Sequence, residues 1–211
     1  MSDKPCSPSC ERNREPILAV LRTHFADRSR VLEIGSGTGQ HAVFFAAAMP
    51  WLTWQCSDRA EYLPGIRLWL DEAGLANTPA PVELDVAVGP WPAPLLPLPQ
   101  AGEGNTRFDA AFSANSLHIM GWAEVEACFA GLDTALADDA TLVVYGPFNY
   151  GGAYSSDSNR EFDHWLQARD PRMGIRDFAA VDALARAIGL RLVDDVAMPA
   201  NNRCLVWTRG G

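Results

Sequence analysis

The most constraining feature of this sequence is a glycine-rich segment that joins a short β-branched run to an apolar helical run. Arg30–Ile34 has the composition of a strand, Gly35–Gly39 reads Gly-Ser-Gly-Thr-Gly, and residues 41–49 have helical character. Glycines let a ligand approach the backbone closely, and the helix N-terminus that follows presents unpaired N–H groups. The segment therefore predicts a nucleotide-type binding loop, with a glycine-rich structural turn as the alternative.

The rest of the chain continues this alternation of strands and helices. Further strands are predicted over 52–57, 82–86, 108–114 and 140–146, and helices over 61–72 and 122–136. This order implies a parallel sheet with crossover connections. Helices near 159–168 and 177–188 then precede two strand-like runs, 190–197 and 203–208. We expect these last two runs to form a terminal antiparallel hairpin on the parallel sheet.

Length and composition indicate one domain over residues 1–211, since 48% hydrophobic residues can form one sizeable core. An amphipathic helix is predicted over 15–26, with Pro16 in its first turn, and we expect the segment from about 11 to 26 to form a helical lid. Five prolines and three glycines fall within 87–105, a composition that disfavours both helix and central strand. A surface loop is expected there.

Charge and hydropathy exclude several classes of partner. The net charge is −9, Lys4 is the only lysine, and the arginines are spread along the chain, so no basic stripe is expected to bind nucleic acid. The sequence contains no run of ~18 apolar residues that would predict a membrane span, and its first residues lack the pattern of a secretory signal. We expect a cytoplasmic protein. The sequence leaves its oligomeric state open.

The cysteines and histidines do not predict a metal site. Five cysteines, an odd number without an export signal, indicate reduced thiols. Cys6 and Cys10 are interpreted as part of a flexible N-terminus, with a metal-binding or redox pair as the alternative. The four histidines are far apart in sequence and form no zinc-binding pattern.

The spacing of the glycines separates the candidate ligands. Dinucleotide-binding loops follow G-x-G-x-x-G, whereas the third glycine here comes one residue earlier, which gives G-x-G-x-G. Glu33 precedes the first of these glycines by two positions. A phosphate-binding P-loop needs a lysine, and none follows Gly35. Asp58, which lies 19 residues after Gly39, can accept hydrogen bonds from a ribose diol. Asp85 can accept from the amine of adenine.

Val31–Gly39 resembles the first motif of class I methyltransferases, which use S-adenosylmethionine. The whole chain resembles the uncharacterised family that includes eukaryotic methyltransferase-like 26 proteins, through residues 11–17, 115–120, 145–150 and 198–202. The resemblance implies a Rossmann-like, seven-stranded, mostly parallel sheet with helices on both faces and an antiparallel C-terminal strand. It places Glu33 and the glycine loop at the methionine end of the cofactor, Asp58 on the ribose and Asp85 near adenine. It does not imply a known substrate.

The acceptor site is expected at the carboxyl ends of strands four and five, where polar and aromatic residues follow each strand. The candidate cofactor-binding residues are Arg14, Glu33, Gly35, Ser36, Gly37, Thr38, Gly39, Asp58, Asp85, Val86 and Asn115. The candidate substrate-binding residues are Tyr145, Asn149, Arg160, Asn201 and Asn202. The candidate catalytic residues are His118, Tyr150 and His164, with the histidines as possible bases. The alternatives are a packed His118 and solvent-exposed Arg14 and Arg160.

Three functions are compatible with this pattern. The preferred one is an S-adenosylmethionine-dependent methyltransferase that acts on a small molecule or a short peptide by direct displacement. The second is a non-catalytic module that binds the same cofactor within a protein complex. The third is an NAD-dependent oxidoreductase, which the glycine spacing disfavours.

Overall fold

The computed structural model describes residues 4–92, 95 and 107–210 of the chain. Its helices are α1 (Pro8–His24), α2 (Gln40–Ala48), α3 (Leu63–Ala73), α4 (Trp122–Ala135), α5 (Asp157–Arg169) and α6 (Phe178–Ala187). Its strands are β1 (Arg30–Ile34), β2 (Thr53–Asp58), β3 (Val82–Glu83), β4 (Phe108–Ala114), β5 (Leu136–Gly146), β6 (Phe148–Asn149), β7 (Arg176–Asp177), β8 (Leu190–Met198) and β9 (Asn202–Arg209).

Seven strands form one sheet in the order β3-β2-β1-β4-β5-β9-β8. Strands β1 to β5 are parallel, and β9 is antiparallel to both of its neighbours, β5 and β8. The predicted Rossmann-like α/β fold, with its antiparallel C-terminal strand and terminal hairpin, is therefore confirmed. The short strands β6 and β7 pair separately.

Side chains of the central strands alternate between two cores, one on each face of the sheet. Along β5, Leu142 and Val144 point into the core that contains Phe129 of α4, while Val143 points into the opposite core with Phe45 of α2. This period-two alternation in a sheet covered on both faces explains why the strands read as continuous apolar runs.

The N-terminal helix begins earlier than the hydrophobic pattern predicted. It starts at Pro8 rather than residue 15, because proline is tolerated in the first turn of a helix. Pro16 consequently lies inside α1 and not in its first turn, where it cannot donate to the carbonyl of residue 12. Helix α1 packs against α2, β5 and β9, so it covers one face of the sheet.

Much of the predicted proline-rich loop, residues 93, 94 and 96–105, lies outside the described residues. Before it, Trp91 is buried in the core with α4, and a Cβ on Gly131 would overlap its indole ring. Strand β3 ends at Glu83, three residues earlier than predicted. Within the ranges that the structure describes, no helix has the length and apolar character needed to span a membrane.

Candidate functional site

The ends of β1, β2 and β3 meet at one edge of the sheet. Ile34 pairs with Ser57, and Asp58 pairs with Glu83, so the three strands finish in register. The amide of Leu84 donates to the carbonyl oxygen of Asp58 over 2.8 Å. The glycine loop, Asp58 and Asp85, which the sequence separates widely, therefore lie along the same edge.

The glycine loop adopts a backbone that side chains disfavour. Gly35, Gly37 and Gly39 have φ values of +71°, +57° and +88°. A Cβ on Gly35 would lie 2.5 Å from the Ser116 hydroxyl, and one on Gly39 would lie 3.1 Å from the Ile66 Cα. At Gly37 no atom would lie within 4 Å. Two glycines thus allow close packing, and the third borders open space at the tip of the loop.

Asp58 joins the glycine loop to the end of β2. Its Oδ2 accepts from the Gly37 amide over 2.7 Å, and its Oδ1 accepts from the Arg59 amide over 2.8 Å. Burial raises the pKa of this carboxyl, and the two backbone hydrogen bonds counter that effect. A carboxylate has about four lone-pair sites, so Asp58 can accept further hydrogen bonds from a ligand.

Asp85 lies just beyond the end of β3. It is exposed and accepts from the Ala87 amide over 3.0 Å, while the neighbouring Val86 packs against the core. Ser36 is buried, and its hydroxyl accepts from the Ser57 amide over 3.2 Å. The Thr38 hydroxyl donates to Gln40 Oε1 over 3.0 Å, which fixes the start of α2.

Glu33 lies beneath the loop, inside the protein. Its Oε2 accepts from Trp54 Nε1 over 3.0 Å, and the Cys56 thiol lies 3.8 Å away. Burial raises the pKa of Glu33 to about 7, although the hydrogen bonds from Trp54 and Ser36 lower it. The structure therefore places this candidate as a support of the loop.

The residues before α1 pack onto the start of α2 and onto α3. The Ser7 amide donates to Gln40 Oε1 over 2.5 Å, and Trp69 Nε1 donates to the Pro5 carbonyl over 2.7 Å. Cys10 lies within α1, with its Sγ 3.9 Å from His41 Nδ1. Burial raises the pKa of the Cys10 thiol. This segment is therefore packed, in contrast to the flexible N-terminus that we expected, and among the described residues no group of three metal-ligating side chains forms.

A pocket of about 640 Å³ opens beside this edge, beyond the ends of β4 and β5. Four parts of the chain line it, with three residues each: Ser9, Arg12 and Asn13 of α1; Asn115, Tyr145 and Pro147 at the strand ends; Ser158, Asn159 and Phe162 of α5; Pro199, Ala200 and Asn202 around the β8–β9 turn. The volume falls within the range of small-molecule sites.

The structure brings some of the sequence candidates to this pocket. Asn115, Tyr145 and Asn202 line it, and the Asn201 carbonyl accepts from Asn159 Nδ2 over 3.1 Å. His118 is buried beside the pocket, with its ring 5.3 Å from that of Phe162. Burial, with a smaller effect of Arg176, lowers the pKa of His118 to about 4.

Three exposed candidates, Arg14, Arg160 and His164, lie outside the pocket lining. Arg14 is exposed over the Phe44 ring at 4.7 Å, and Arg160 is exposed and forms an ion pair with Asp157 at 3.0 Å. His164 lies on the exposed face of α5, near Tyr154. The alternative interpretations of Arg14 and Arg160 as solvent-exposed side chains thus match their positions.

Tyr150 and Asn149 take part in packing contacts on the other side of β5. The Tyr150 hydroxyl donates to Asp195 Oδ2 over 2.8 Å, and its ring stacks on Phe178 at 5.4 Å. Burial, aided by the hydrogen bond to Asp195, raises the pKa of Tyr150 to about 12. Asn149 donates to the Ile175 carbonyl over 3.5 Å. A phenol with such a pKa is a poor proton acceptor at neutral pH.

Sequence reasoning missed the pocket residues on α1 and α5, although a signal for them exists. Asn13 shares the buried face of α1 with Ile17 and Val20, and Asn159 shares that of α5 with Leu166. Polar residues on the apolar side of an amphipathic helix are unusual and need hydrogen-bond partners.

Asn13 connects α1 to α2. His41 Nε2 lies 2.8 Å from Asn13 Oδ1, and a hydrogen bond from Asn13 lowers the pKa of Tyr145, which burial raises.

Backbone strain also concentrates at the pocket. Asn115, Ala200 and Asn201, each with φ of +57°, are the non-glycine residues with positive φ among the described residues. Asn115 and Ala200 line the pocket, and Asn201 adjoins it. Such conformations cost free energy and persist where the surrounding structure holds them, commonly at binding sites.

Comparison with known proteins places the chain in a family. The family described as a protein of unknown function, DUF938, matches residues 4–209. The chain belongs to the DUF938 family. That assignment names no reaction.

Several solved structures similar to this DUF938 chain belong to longer proteins. One, the S-adenosylmethionine-dependent methyltransferase SibL in its apo form, has a TM-score of 0.75 and 21% identity, with 96% of this chain and 56% of that chain covered. An O-methyltransferase family 2 protein from Planctomyces limnophilus in complex with apigenin has a TM-score of 0.78 and 13% identity, with 96% and 58% covered.

An O-methyltransferase family protein from Burkholderia thailandensis has a TM-score of 0.72 and 14% identity, with 93% of this chain and 56% of that chain covered. The DUF938 chain thus spans little more than half the length of these proteins, and at such identities the similarity establishes a shared fold.

Proposed function

We propose that this protein is an S-adenosylmethionine-dependent methyltransferase that acts on a small molecule or a short peptide. The observation that carries the proposal is one edge of the sheet where a left-handed glycine loop and the Asp58 carboxylate adjoin a pocket that begins at Asn115. Ligands of open α/β sheets bind at this edge. We further infer a relationship to methyltransferase-like 26 proteins, supported by the motifs at 11–17 and 198–202, which contribute pocket residues.

The residues along this edge fit the proposed cofactor. The glycine loop would receive the methionine end, since among the described residues no atom would come within 4 Å of a Cβ placed on Gly37. Asp58 would accept hydrogen bonds from the ribose hydroxyls with its remaining lone pairs, and Asp85 and Val86 would border the adenine. Asn115 would lie between the cofactor and the acceptor, because it alone among these candidates lines the pocket.

The bound cofactor would supply an activated methyl group on a sulfonium, so the protein's main tasks are alignment and exclusion of water. Tyr145 and Asn202 would orient the acceptor beside Asn115. With a pKa of about 4, His118 is neutral at pH 7 and accepts protons weakly. We infer that His118 positions the acceptor through Phe162 and that a strong general base is not required.

Calorimetric titration with S-adenosylmethionine and S-adenosylhomocysteine tests the cofactor site. We expect saturable binding to the wild type and binding about tenfold weaker or more for Asp58→Asn, since hydrogen bonds to charged groups contribute ~1.5–3 kcal/mol. Asp71→Asn, at an exposed position of α3, is the control and should bind normally. Thermal unfolding verifies that each variant is folded. Failure of the wild type to bind either compound would refute the proposal.

Radiolabel transfer to pools of metabolites and short peptides tests catalysis separately. A labelled product that depends on Asp58 supports the methyltransferase. Cofactor binding without any product, together with a stable protein complex, would instead support the non-catalytic module. A thermal shift with NAD and none with S-adenosylmethionine would support the oxidoreductase.

A further inference from the structure

The pocket differs in charge from the rest of the molecule. The chain has 26 acidic and 17 basic residues, yet no acidic side chain lines the pocket in the part of the chain that the structure describes. Arg12 is the cationic side chain among those lining residues, and the others are neutral. In an acidic protein, this arrangement favours an occupant with negative charge.

Two helix N-termini reinforce this preference. Ser9 belongs to the first turn of the 17-residue helix α1, and Ser158 and Asn159 belong to the first turn of the 13-residue helix α5. A helix N-terminus carries a partial positive charge that attracts anions. The acids of these first turns are engaged elsewhere, since Asp157 pairs with Arg160 and Glu11 accepts from the Cys6 thiol at 3.8 Å.

Arg12 itself is held by a neutral partner. Its Nη2 donates to the Ser9 hydroxyl over 3.3 Å, and no ion pair joins it to a carboxylate within the described ranges. Its charge also reaches the Tyr145 phenol across the pocket, where it lowers the pKa that burial raises. The guanidinium fork matches a carboxylate in two parallel hydrogen bonds. A single guanidinium balances one negative charge, which favours a carboxylate over a phosphate dianion.

The position of Arg12 assigns this anion to the acceptor. The pocket extends from Asn115 towards Pro199 and Asn202, near β9, whereas the glycine loop, Asp58 and Asp85 contribute nothing to its lining. A carboxylate bound by Arg12 would therefore occupy a pocket whose lining shares only Asn115 with the proposed cofactor residues.

The apolar wall indicates the rest of the acceptor. Phe162 lines the pocket and stacks on Trp165 with ring centroids 5.9 Å apart and an interplanar angle of 13°. Trp165 is 56% exposed. Phe162 therefore gives the pocket an aromatic side chain against which a planar group can pack.

We propose that the acceptor is a small carboxylic acid with a planar apolar part, bound by Arg12 between the N-terminal turns of α1 and α5. This proposal rests on the proposed methyltransferase function. Phe162 packs against the planar part, and the Asn159 amide, which donates to Ser155 and Asn201, fixes the first turn of α5 beside the site.

Paired ligands that differ only in charge test the proposal. Benzoate, 4-hydroxybenzoate and indole-3-acetate are compared with their carboxamides by ligand-observed NMR titration, with and without S-adenosylhomocysteine. We expect the wild type to bind at least one acid about tenfold more tightly than its amide. Arg12→Gln should abolish this preference. Arg14→Gln, two residues along α1 but outside the pocket, should keep it.

Cofactor binding distinguishes the two proposals. S-adenosylhomocysteine and methylthioadenosine, which lacks the amino-acid carboxylate, are titrated into both arginine variants. We expect unchanged affinity for both compounds. Selective loss of S-adenosylhomocysteine binding in Arg12→Gln would assign Arg12 to the cofactor and overturn the inference.

A wild type that binds none of the acids more tightly than its amide would also overturn the inference, while cofactor binding would still support the methyltransferase. If the wild type binds no cofactor, the methyltransferase proposal fails, and acid preference in the titration without S-adenosylhomocysteine still reports on the Arg12 site.

Discussion

Glu33 is a carboxyl group enclosed by Trp54 and Cys56, with its pKa raised to about 7 by burial. An unfolded glutamate titrates near ~4.3, so between these values the folded protein binds more protons than the unfolded chain. The free energy of unfolding attributable to Glu33 therefore falls as pH rises from about 4.5 to about 7. Above pH 7 the folded protein carries an ionised carboxylate in its interior.

Replacing Glu33 by glutamine should remove this penalty. We expect Glu33→Gln to unfold with a free energy up to ~3 kcal/mol greater than the wild type at pH 8, and with little difference at pH 4.5. Urea unfolding at the two pH values measures the effect. Glu83→Gln, at an exposed position of β3, is the control. The explanation fails if wild type and Glu33→Gln lose equal stability between pH 4.5 and pH 8.

At the scale of elements, the turn between β8 and β9 brings α5 and the pocket together. Asn201 Nδ2 donates to the Ser158 hydroxyl over 3.1 Å, and Asn159 Nδ2 donates to the Asn201 carbonyl. Ala200 and Asn201 occupy left-handed backbone conformations in succession. These contacts hold a strained turn against the first turn of a helix, which fixes one wall of the pocket.

The strain at Ala200 predicts that a smaller residue stabilises the fold. Ala200→Gly should raise the free energy of unfolding by ~1 kcal/mol, because glycine adopts positive φ without the steric cost of a Cβ. Ala183→Gly, at an exposed position inside α6, should lower it by ~0.5–1 kcal/mol. Chemical denaturation measures both changes. Equal destabilisation by the two variants would contradict the assignment of strain to Ala200.

Most helices and strands were predictable because hydrophobic periodicity is a local property of the sequence. The pocket was not predictable, because four distant parts of the chain line it. Strand and helix periodicity and the glycine loop predicted the succession of strands along the chain up to β5, and β3 alone proved much shorter than its predicted run. Arg14 was the predicted site residue on this helix, whereas Arg12 lines the pocket, because the face that α1 turns towards the pocket depends on how the helix packs. The packing of α1 against the sheet sets this orientation. In the structure, the buried position of Asn13 shows which face of α1 is turned inwards.

At the scale of the whole molecule, two buried histidines oppose Glu33. Burial lowers the pKa values of His41 and His118 to about 4, with smaller contributions from Arg14 and Arg176. Between pH 4 and 6.5 the unfolded chain binds more protons at these two sites than the folded protein does. The contribution of these histidines to the free energy of unfolding is therefore largest above pH 6.5 and decreases as pH falls towards 4. Their combined effect exceeds that of Glu33 over most of this range.

We therefore expect either His41→Gln or His118→Gln to flatten the acid side of the stability curve. Each variant should reduce the slope of unfolding free energy against pH by up to ~1.4 kcal/mol per pH unit between pH 4.5 and 6.5. His24→Gln is the control, since His24 is partly exposed beside Asp194. Denaturant titrations across this range provide the slopes, and unchanged slopes in both buried-site variants would contradict the prediction.

The antiparallel direction of β9 determines where a reporter can be attached. The strand starts at Asn202 on the pocket and ends at Arg209, whose guanidinium contacts the carbonyls of Leu136 and Ile188 at the opposite edge of the sheet. Pro5 and Ser7, in contrast, touch α3 and the start of α2. An affinity tag or fluorophore placed after Arg209 should leave ligand titrations undisturbed, whereas one attached at Lys4 would disturb the contacts of Lys4 with Glu72 and Trp69 on α3.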